Sequence, residues 1–340
     1  HWEHQYKFRV AEALTLFKED YAKEIEEIGW LQFIFFKQWQ SLKTYANGKN
    51  VRIIGDLPFY VDEDSVEVWT NPHHFLLDED LNKMQVAGVP PDYFNASGQL
   101  WGMPIFDWAE MKKDNYSWWI SRLKQNLKLY DLLRLDHFRA FAAYWQVPAH
   151  AKDATSGEWI KGPGSGFFEV LKQELGDLPF IAEDLGESSR DVDALMQSFD
   201  LPGMKVLQFA FSEDLPSSVH APHNFSSANT IVYSGTHDNN TLKGWFSSET
   251  DNKMRKRLSD YVGFTITEEN INQVMLRMCY SSVAKLAIVP MQDILELDGE
   301  ARMNVPGKHG GNWAWRMDKD ALDSSIGKTL AMEAERFGRI

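Results

Sequence analysis

The chain has 340 residues, with 35 Lys and Arg against 49 Asp and Glu, a formal net charge of −14 at neutral pH. A hydrophobic fraction of 44% with 25% charged residues describes a folded globular chain and excludes a disordered or collagen-like one. The length allows one large α/β barrel or two ordinary domains, and the acidic balance argues against nucleic acid or an anionic membrane surface as partner.

The single Cys279 excludes an internal disulfide and any multi-cysteine metal site. Such cysteine usage fits a reducing compartment, so a cytoplasmic location is expected. No apolar run approaches the ~20 residues that span a bilayer. Aromatics reach 13%, with 13 Trp, a surplus that serves either a core or flat apolar surfaces for stacking sugars or bases. The chain opens His1-Trp2-Glu3-His4 without Met or a signal-peptide pattern, which reads as a processed chain or a fragment.

In chain order, residues 5–47 carry apolar positions at helical spacing (Phe8, Leu14, Phe17, Ile25, Ile28), and Asn47-Gly48 supplies the stop. Val51–Gly55 reads as a short buried strand. Further apolar runs follow at 132–135, 180–182, 204–207, 231–233 and 286–289. Amphipathic helical stretches lie between most of them, at about 108–130, 166–175, 188–199, 239–262 and 268–283. Strands alternating with helices predict βαβ units and a mostly parallel sheet.

A doubly wound sheet fits that alternation, but the polar residues favour a barrel. Asp56, Asp136, Glu183, Asp238 and Asp293 each fall at or just past the C-terminal end of a different strand, where a (β/α)₈ barrel assembles its site. Two long segments interrupt the pattern, 71–107 and 208–229. The aromatics of the first, Tyr93, Phe94 and Trp101, predict a functional loop.

Asp136, Glu183 and Asp238 carry the chemistry. Carboxylates gathered with His, Arg and Trp suit glycosidic-bond cleavage, in which one attacks the anomeric carbon and another protonates the leaving oxygen. The plainer alternative for each is a helix N-cap. Asp136 and Glu183 make poor caps, since each directly follows an apolar strand and has an acidic or basic neighbour.

A series of strings resembles one family. They are Ile54-Gly55-Asp56-Leu57-Pro58-Phe59-Tyr60-Val61, Gly88-Val89-Pro90-Pro91-Asp92-Tyr93-Phe94, Gly98-Gln99-Leu100-Trp101-Gly102, and Arg134-Leu135-Asp136-His137-Phe138-Arg139. After them come Ile181-Ala182-Glu183-Asp184-Leu185-Gly186, Met204-Lys205-Val206-Leu207-Gln208-Phe209, Gly235-Thr236-His237-Asp238-Asn239, Val289-Pro290-Met291-Gln292-Asp293 and Asn304-Val305-Pro306-Gly307. With these motifs in family order over nearly the whole chain, the sequence is similar to the 4-α-glucanotransferases of the amylomaltase (disproportionating enzyme) family, glycoside hydrolase family 77.

The resemblance implies transfer of α-1,4-glucan segments between maltooligosaccharides by a retaining double displacement, with no metal and no organic cofactor. It implies Asp136 as nucleophile, Glu183 as general acid and then base, and Asp238 as transition-state stabiliser. Arg134 lies two residues before Asp136, so strand alternation turns both to one side, where it can pair with the nucleophile; a purely structural Arg is the alternative. His237 is expected to bind sugar hydroxyls and Asp56 to lie near the donor sugar. Asp92, Tyr93, Gln99 and Trp101 belong to a lid over the acceptor side, while Asn304 and Pro306 belong to the closing edge of the cleft.

Other features carry less. Gly162-Pro163-Gly164-Ser165-Gly166 lacks the Lys-Ser/Thr ending of a phosphate loop, and His220-Ala221-Pro222-His223 lacks the Glu and the helical setting of a zinc site. Met254, Met275 and Met278 are expected to pack.

The family barrel has eight strands, and 51–55 resembles its third. The fold expected is therefore a (β/α)₈ TIM-barrel type lacking its first two strands, one partial catalytic domain over 1–340, with lid loops or a lid subdomain inserted at about 71–107 and a helical insertion at about 240–283. An open barrel edge invites self-association. A chain so truncated is expected to show little transfer by itself. Two other readings stay open: a hydrolytic α-amylase relative, and a non-catalytic glucan-binding or inactive fragment.

Overall fold

The computed structural model describes residues 2–91, 95–186, 189–308 and 310–339. The chain separates into two compact units, His1–Leu201 and Pro202–Ile340.

The first unit opens with helices His4–Lys7, Ala11–Asp20 and Ala22–Asn47 rather than one continuous helix. Arg9 takes a left-handed φ of 54°, which ends the first of them. The last ends at the predicted Asn47-Gly48 and buries none of its residues. Polar contacts fasten it. Trp39 Nε1 donates to the Leu129 carbonyl at 2.9 Å, and Lys43 Nζ donates to the Lys128 and Tyr130 carbonyls. Lys43 also pairs with Asp131 at 3.4 Å, and Asp131 accepts the Ile53 N–H at 2.8 Å. These contacts set the entry into the first strand.

Among the described residues, seven strands follow in this unit: β1 (Ile54–Leu57), β2 (Gln85–Val89), β3 (Gln99–Pro104), β4 (Leu132–Leu135), β5 (Ala143–Pro148), β6 (Glu158–Lys161) and β7 (Phe180–Ala182). β1 starts three residues later than the sequence predicts. The reason is local: the Val51 N–H closes onto the Ala46 carbonyl at 2.9 Å, so Val51 belongs to the helix exit. β1, β4 and β7 form a parallel sheet in that order, with Asp56 opposite Arg134 and Leu57, Leu135 and Ala182 in line. The helix expected over 108–130 is two helices, Trp108–Lys113 and Ser117–Leu129. Asn115 and Tyr116, both at positive φ, break it.

The segment 71–107, read from sequence as inserted lid loops or a lid subdomain, contains regular structure. β2 and β3 lie inside it and join β5 and β6 in an antiparallel sheet of order β3-β2-β5-β6. Val86 faces Val147 and Trp145 faces Trp159, partners distant in sequence whose pairing no local pattern announces. Gly88, Pro90, Pro91, Gly98 and Gly102 give the segment the composition of a loop.

The aromatic surplus goes chiefly into this unit's core. Phe59 meets Phe141 at 4.8 Å and Phe106 and Trp119 at 5.6 Å, and Phe141 stacks on Phe167 at 5.3 Å. Such pairs each add about 0.5–1.5 kcal/mol beyond the area they bury.

The second unit holds β8 (Gly203–Val206), β9 (Thr230–Tyr233) and β10 (Leu286–Ile288), a parallel sheet of order β10-β9-β8. Its helices are Leu242–Gly244, running into a π turn Trp245–Glu249, then Asn252–Val262, Ile271–Ser281, Met291–Ile294 and Ser324–Arg336. Leu242, Trp245, Met275 and Cys279 are buried together, and Met254 and Met278 pack against them. Burial pushes the Cys279 thiol well above its ordinary range. Among the described residues no helix is long and apolar enough to cross a membrane.

Gly55 shows how tightly β1 meets the helix layer: a Cβ added there would lie 2.3 Å from the Tyr130 ring. Gly55→Ala is therefore expected to cost about 1–3 kcal/mol by overpacking in urea unfolding. In a Tyr130→Ala background the same change should cost less than about 0.5 kcal/mol, because the clash has lost its partner.

Candidate active site

The C-terminal ends of β1, β4 and β7 are held level. The Asp136 N–H donates to the Leu57 carbonyl at 3.0 Å and the Glu183 N–H to the Leu135 carbonyl at 3.1 Å, so the ladder continues past each strand. Arg134 is buried between these ends. Its Nη1 lies 2.8 and 2.9 Å from the two carboxylate oxygens of Asp56 and 2.9 Å from Asp136 Oδ1. One guanidinium thus serves two carboxylates, each roughly 40% exposed (42% and 43%). Burial acts to lower the proton affinity of the guanidinium, but Asp56 and Asp136, helped by Glu183, outweigh it and hold it raised.

Glu183 is placed differently. Its Oε2 accepts the His137 N–H at 2.9 Å and its Oε1 the Leu185 N–H at 2.8 Å. Burial pushes its pKa above the ordinary carboxylate value and the nearby Asp136 adds to the rise; the Leu185 N–H, Arg134 and the His137 N–H oppose it without cancelling it. The two carboxylates on neighbouring strand ends are therefore unlike: one paired with an arginine and open to solvent, the other disposed to keep a proton.

His137 joins them through its backbone. At φ 50° it occupies the left-handed region, and this turn aims its N–H at Glu183. Its ring meets Trp101 edge-on at 4.8 Å and lies 6.3 Å from Tyr60. The Nε2 atom is buried with no hydrogen-bond partner among the described residues. Burial, then Arg139, lowers the imidazole pKa to about 4, so it is neutral at pH 7. Trp101 Nε1 donates to Gln99 Oε1 at 3.1 Å. β3 thus brings Trp101 against the residue that follows Asp136.

In the second unit, His237 and Asp238 stand on the loop after β9. Gly235 begins it because a Cβ there would come within 2.7 Å of Gln208 Nε2. The Thr236 N–H and Oγ1 both donate to Asn239 Oδ1, and the Asp238 N–H to Thr236 Oγ1. His237 Nε2 lies 3.5 Å from Asp238 Oδ2, and its ring lies 5.1 Å from that of Trp313. Asn304 Nδ2 donates to Asp238 Oδ1 at 2.6 Å. Arg302 braces this edge: it donates to the Asp238 carbonyl at 2.7 Å, the Asn304 carbonyl at 2.8 Å and Glu249 Oε1 at 3.1 Å.

A family model described as 4-alpha-glucanotransferase, glycoside hydrolase family 77, matches residues 1–322. The chain belongs to the 4-alpha-glucanotransferase family. It is 45% identical over 340 residues to a 4-alpha-glucanotransferase of Synechocystis sp., covering 99% of this chain and 67% of that protein. It is 46% identical over 322 residues to the one of Streptococcus pneumoniae serotype 4, covering 95% and 63%. The solved structure of the amylomaltase from Streptococcus agalactiae in complex with acarbose superposes with a TM-score of 0.94 at 39% identity, over 100% of this chain and 68% of that one. The α/β fold is thus similar to that of amylomaltase. The chain spans about two thirds of the length of these relatives.

Of the glucanotransferase-like positions read from sequence, the first unit brings together Asp56, Arg134, Asp136 and Glu183, with Trp101 and Gln99 alongside through His137. The second unit brings together His237, Asp238 and Asn304. Pro306 lies exposed in the turn beyond Asn304, and Asp92 and Tyr93 lie outside the described residues. Asp293, grouped with the strand-end carboxylates by position, is only 3% exposed and does not open to solvent. Sequence reasoning missed Arg302, Trp313 and the backbone role of His137. The motif that carries His137 was visible, but nothing in its letters marks the left-handed turn.

Glu183 sets a pH dependence with a definite sign. It binds its proton more tightly folded than unfolded, so its protonation stabilises the fold at acid pH, and that contribution is lost as pH rises through the folded value. The stability difference between wild type and Glu183→Gln, measured by urea unfolding from pH 4 to 7, should favour wild type most at the acid end and shrink as pH rises. A difference that is flat, or grows with pH, would mean that the carboxyl is not proton-retaining.

Proposed function

We propose that the reaction is transfer of α-1,4-glucan segments between maltooligosaccharides by a retaining double displacement, carried by a catalytic domain of (β/α)₈-barrel type. The observation that carries this reading is the unlike pair on adjacent strand ends: Asp136 in contact with Arg134, and Glu183 raised by burial. In the first step an Asp136 carboxylate oxygen attacks the anomeric carbon while Glu183 gives its proton to the departing glycosidic oxygen. This leaves a covalent glycosyl-enzyme and an ionised Glu183. In the second step an acceptor hydroxyl passes its proton to Glu183 as its oxygen attacks the same carbon and the ester to Asp136 breaks. Asp238 steadies the positive charge that develops at the sugar ring.

Asp56, Arg134, His237, Asn304, Gln99 and Trp101 are read as substrate contacts. Trp101 offers an aromatic face to a sugar ring, and the others offer hydrogen bonds. Asp92, Tyr93 and Pro306 join them on the resemblance alone. That the Streptococcus agalactiae relative was solved with acarbose supports a sugar-like ligand. The lone, fully buried Cys279 accords with a reducing, cytoplasmic setting.

A single-turnover trap tests the reading without requiring sustained transfer. With a maltosyl fluoride donor, whose leaving group needs no proton, Glu183→Gln should accumulate a glycosyl adduct that peptide mass spectrometry places on Asp136. Asp136→Ala should give none. An adduct on another residue, or none in Glu183→Gln, would overturn the assignment. With maltotriose, longer oligomers among the products mean transfer; only shorter sugars would mean hydrolysis.

A further inference from the structure

The loop that carries Asp238 is gripped at both ends by one buried carboxylate. Ser234 is the first residue past β9 and Leu242 the first of the helix that follows, so residues 235–241 are the whole connection. Asp293 reaches both ends: the Ser234 hydroxyl donates to its Oδ2 at 3.0 Å and the Leu242 N–H to its Oδ1 at 2.8 Å. All of Ser234 and nearly all of Asp293 is buried, at 0% and 3% exposure, so a substrate does not touch either.

Helix capping alone does not account for this arrangement. The helix already has a cap in Thr241, whose Oγ1 accepts the Gly244 N–H at 3.1 Å. A cap has no use for the second bond, back to the strand end. Burying a carboxylate costs several kcal/mol even after relaxation, and a serine would cap without that cost. The main chain that carries it is held in place, since the Asp293 backbone carbonyl accepts Asn272 Nδ2 at 2.7 Å from the neighbouring helix Ile271–Ser281. Burial raises the Asp293 pKa to about 6 against the pull of both hydrogen bonds, which leaves two accepting oxygens at neutral pH.

We infer that Asp293 is a positioning residue that fixes both ends of the 235–241 loop and so sets where the Asp238 carboxylate stands. This rests on the reading of Asp238 as the residue that steadies charge at the sugar. Asp293→Ala removes both bonds. Asp293→Asn can keep both, its oxygen accepting from Leu242 and its amide donating to the Ser234 oxygen. Ser234→Ala removes only the bond to the strand end.

Hydrogen exchange read by mass spectrometry decides the positioning. In Asp293→Ala the amides of 235–241 should exchange about tenfold faster or more, while those of β8 and β9 stay within about twofold. Asp293→Asn should restore the loop to within about threefold, and Ser234→Ala should give an intermediate rise that stands in for Asp293→Ala if that variant does not fold. In turnover, misplacing Asp238 should lower kcat about tenfold or more with KM within about twofold, and Asp293→Asn should recover most of it. Loop exchange unchanged in both Asp293→Ala and Ser234→Ala, or a rise spread evenly over the unit, would overturn the inference. So would a loosened loop with kcat intact. Where the wild-type chain turns over too slowly for that comparison, exchange alone decides the clamp, and the glycosyl adduct formed from maltosyl fluoride separately decides the reading of the reaction.

Discussion

Carboxylates on adjacent parallel strand ends repel each other, and the arrangement in the first unit depends on how Arg134 answers that repulsion. Strand spacing of about 4.8 Å leaves like charges too close to be left uncompensated. The register puts Arg134 directly opposite Asp56 and two residues before Asp136, so one buried guanidinium contacts both. Glu183 lies within the influence of that cation but is satisfied by backbone N–H groups instead. Asp56 and Asp136 therefore share one cation and are equally exposed, whereas Glu183, on the neighbouring strand end, differs from both in its partners.

The second unit solves a different problem. Asp238 stands on a loop rather than at a strand residue, and a loop needs to be told where to lie. Its interior is folded by Thr236 and Asn239, its start by the close approach of Gly235 to Gln208, and its exposed edge by Arg302 and Asn304. Polar contacts dominate because short side chains around a glycine bury little apolar surface, so hydrogen bonds rather than packing supply the definition.

Parallel strands were legible where the chain has a short, mostly apolar run between turn residues: 132–135 and 180–182 fall where the sequence places them, and 286–288 is one residue shorter than read. The antiparallel sheet was not, because Gly and Pro punctuate the segment that holds β2 and β3, and β2 pairs with β5, far along the chain. The helix over 108–130 looked continuous because Asn115 and Tyr116 are compatible with a helix in sequence and leave it only in conformation. For the site, strand-end position singled out Asp56, Asp136 and Glu183, and the motifs named Asn304. Arg302 could not be found this way. Its bond to the Asp238 carbonyl spans 64 residues, and a main-chain acceptor leaves no trace in the identity of the residue that provides it.

The left-handed turn at His137 has a consequence for how this position tolerates change. The group that meets Glu183 there is a main-chain N–H, so the contact is indifferent to the side chain and sensitive only to the backbone. Among substitutions, proline alone deletes it outright, having no N–H and a fixed negative φ. Glycine and asparagine adopt the turn at little cost, whereas a β-branched residue opposes it. Sequence drift at 137 is thus filtered by two separate criteria, the ring packed on Trp101 and the torsion that serves Glu183, and a substitution can satisfy one while failing the other.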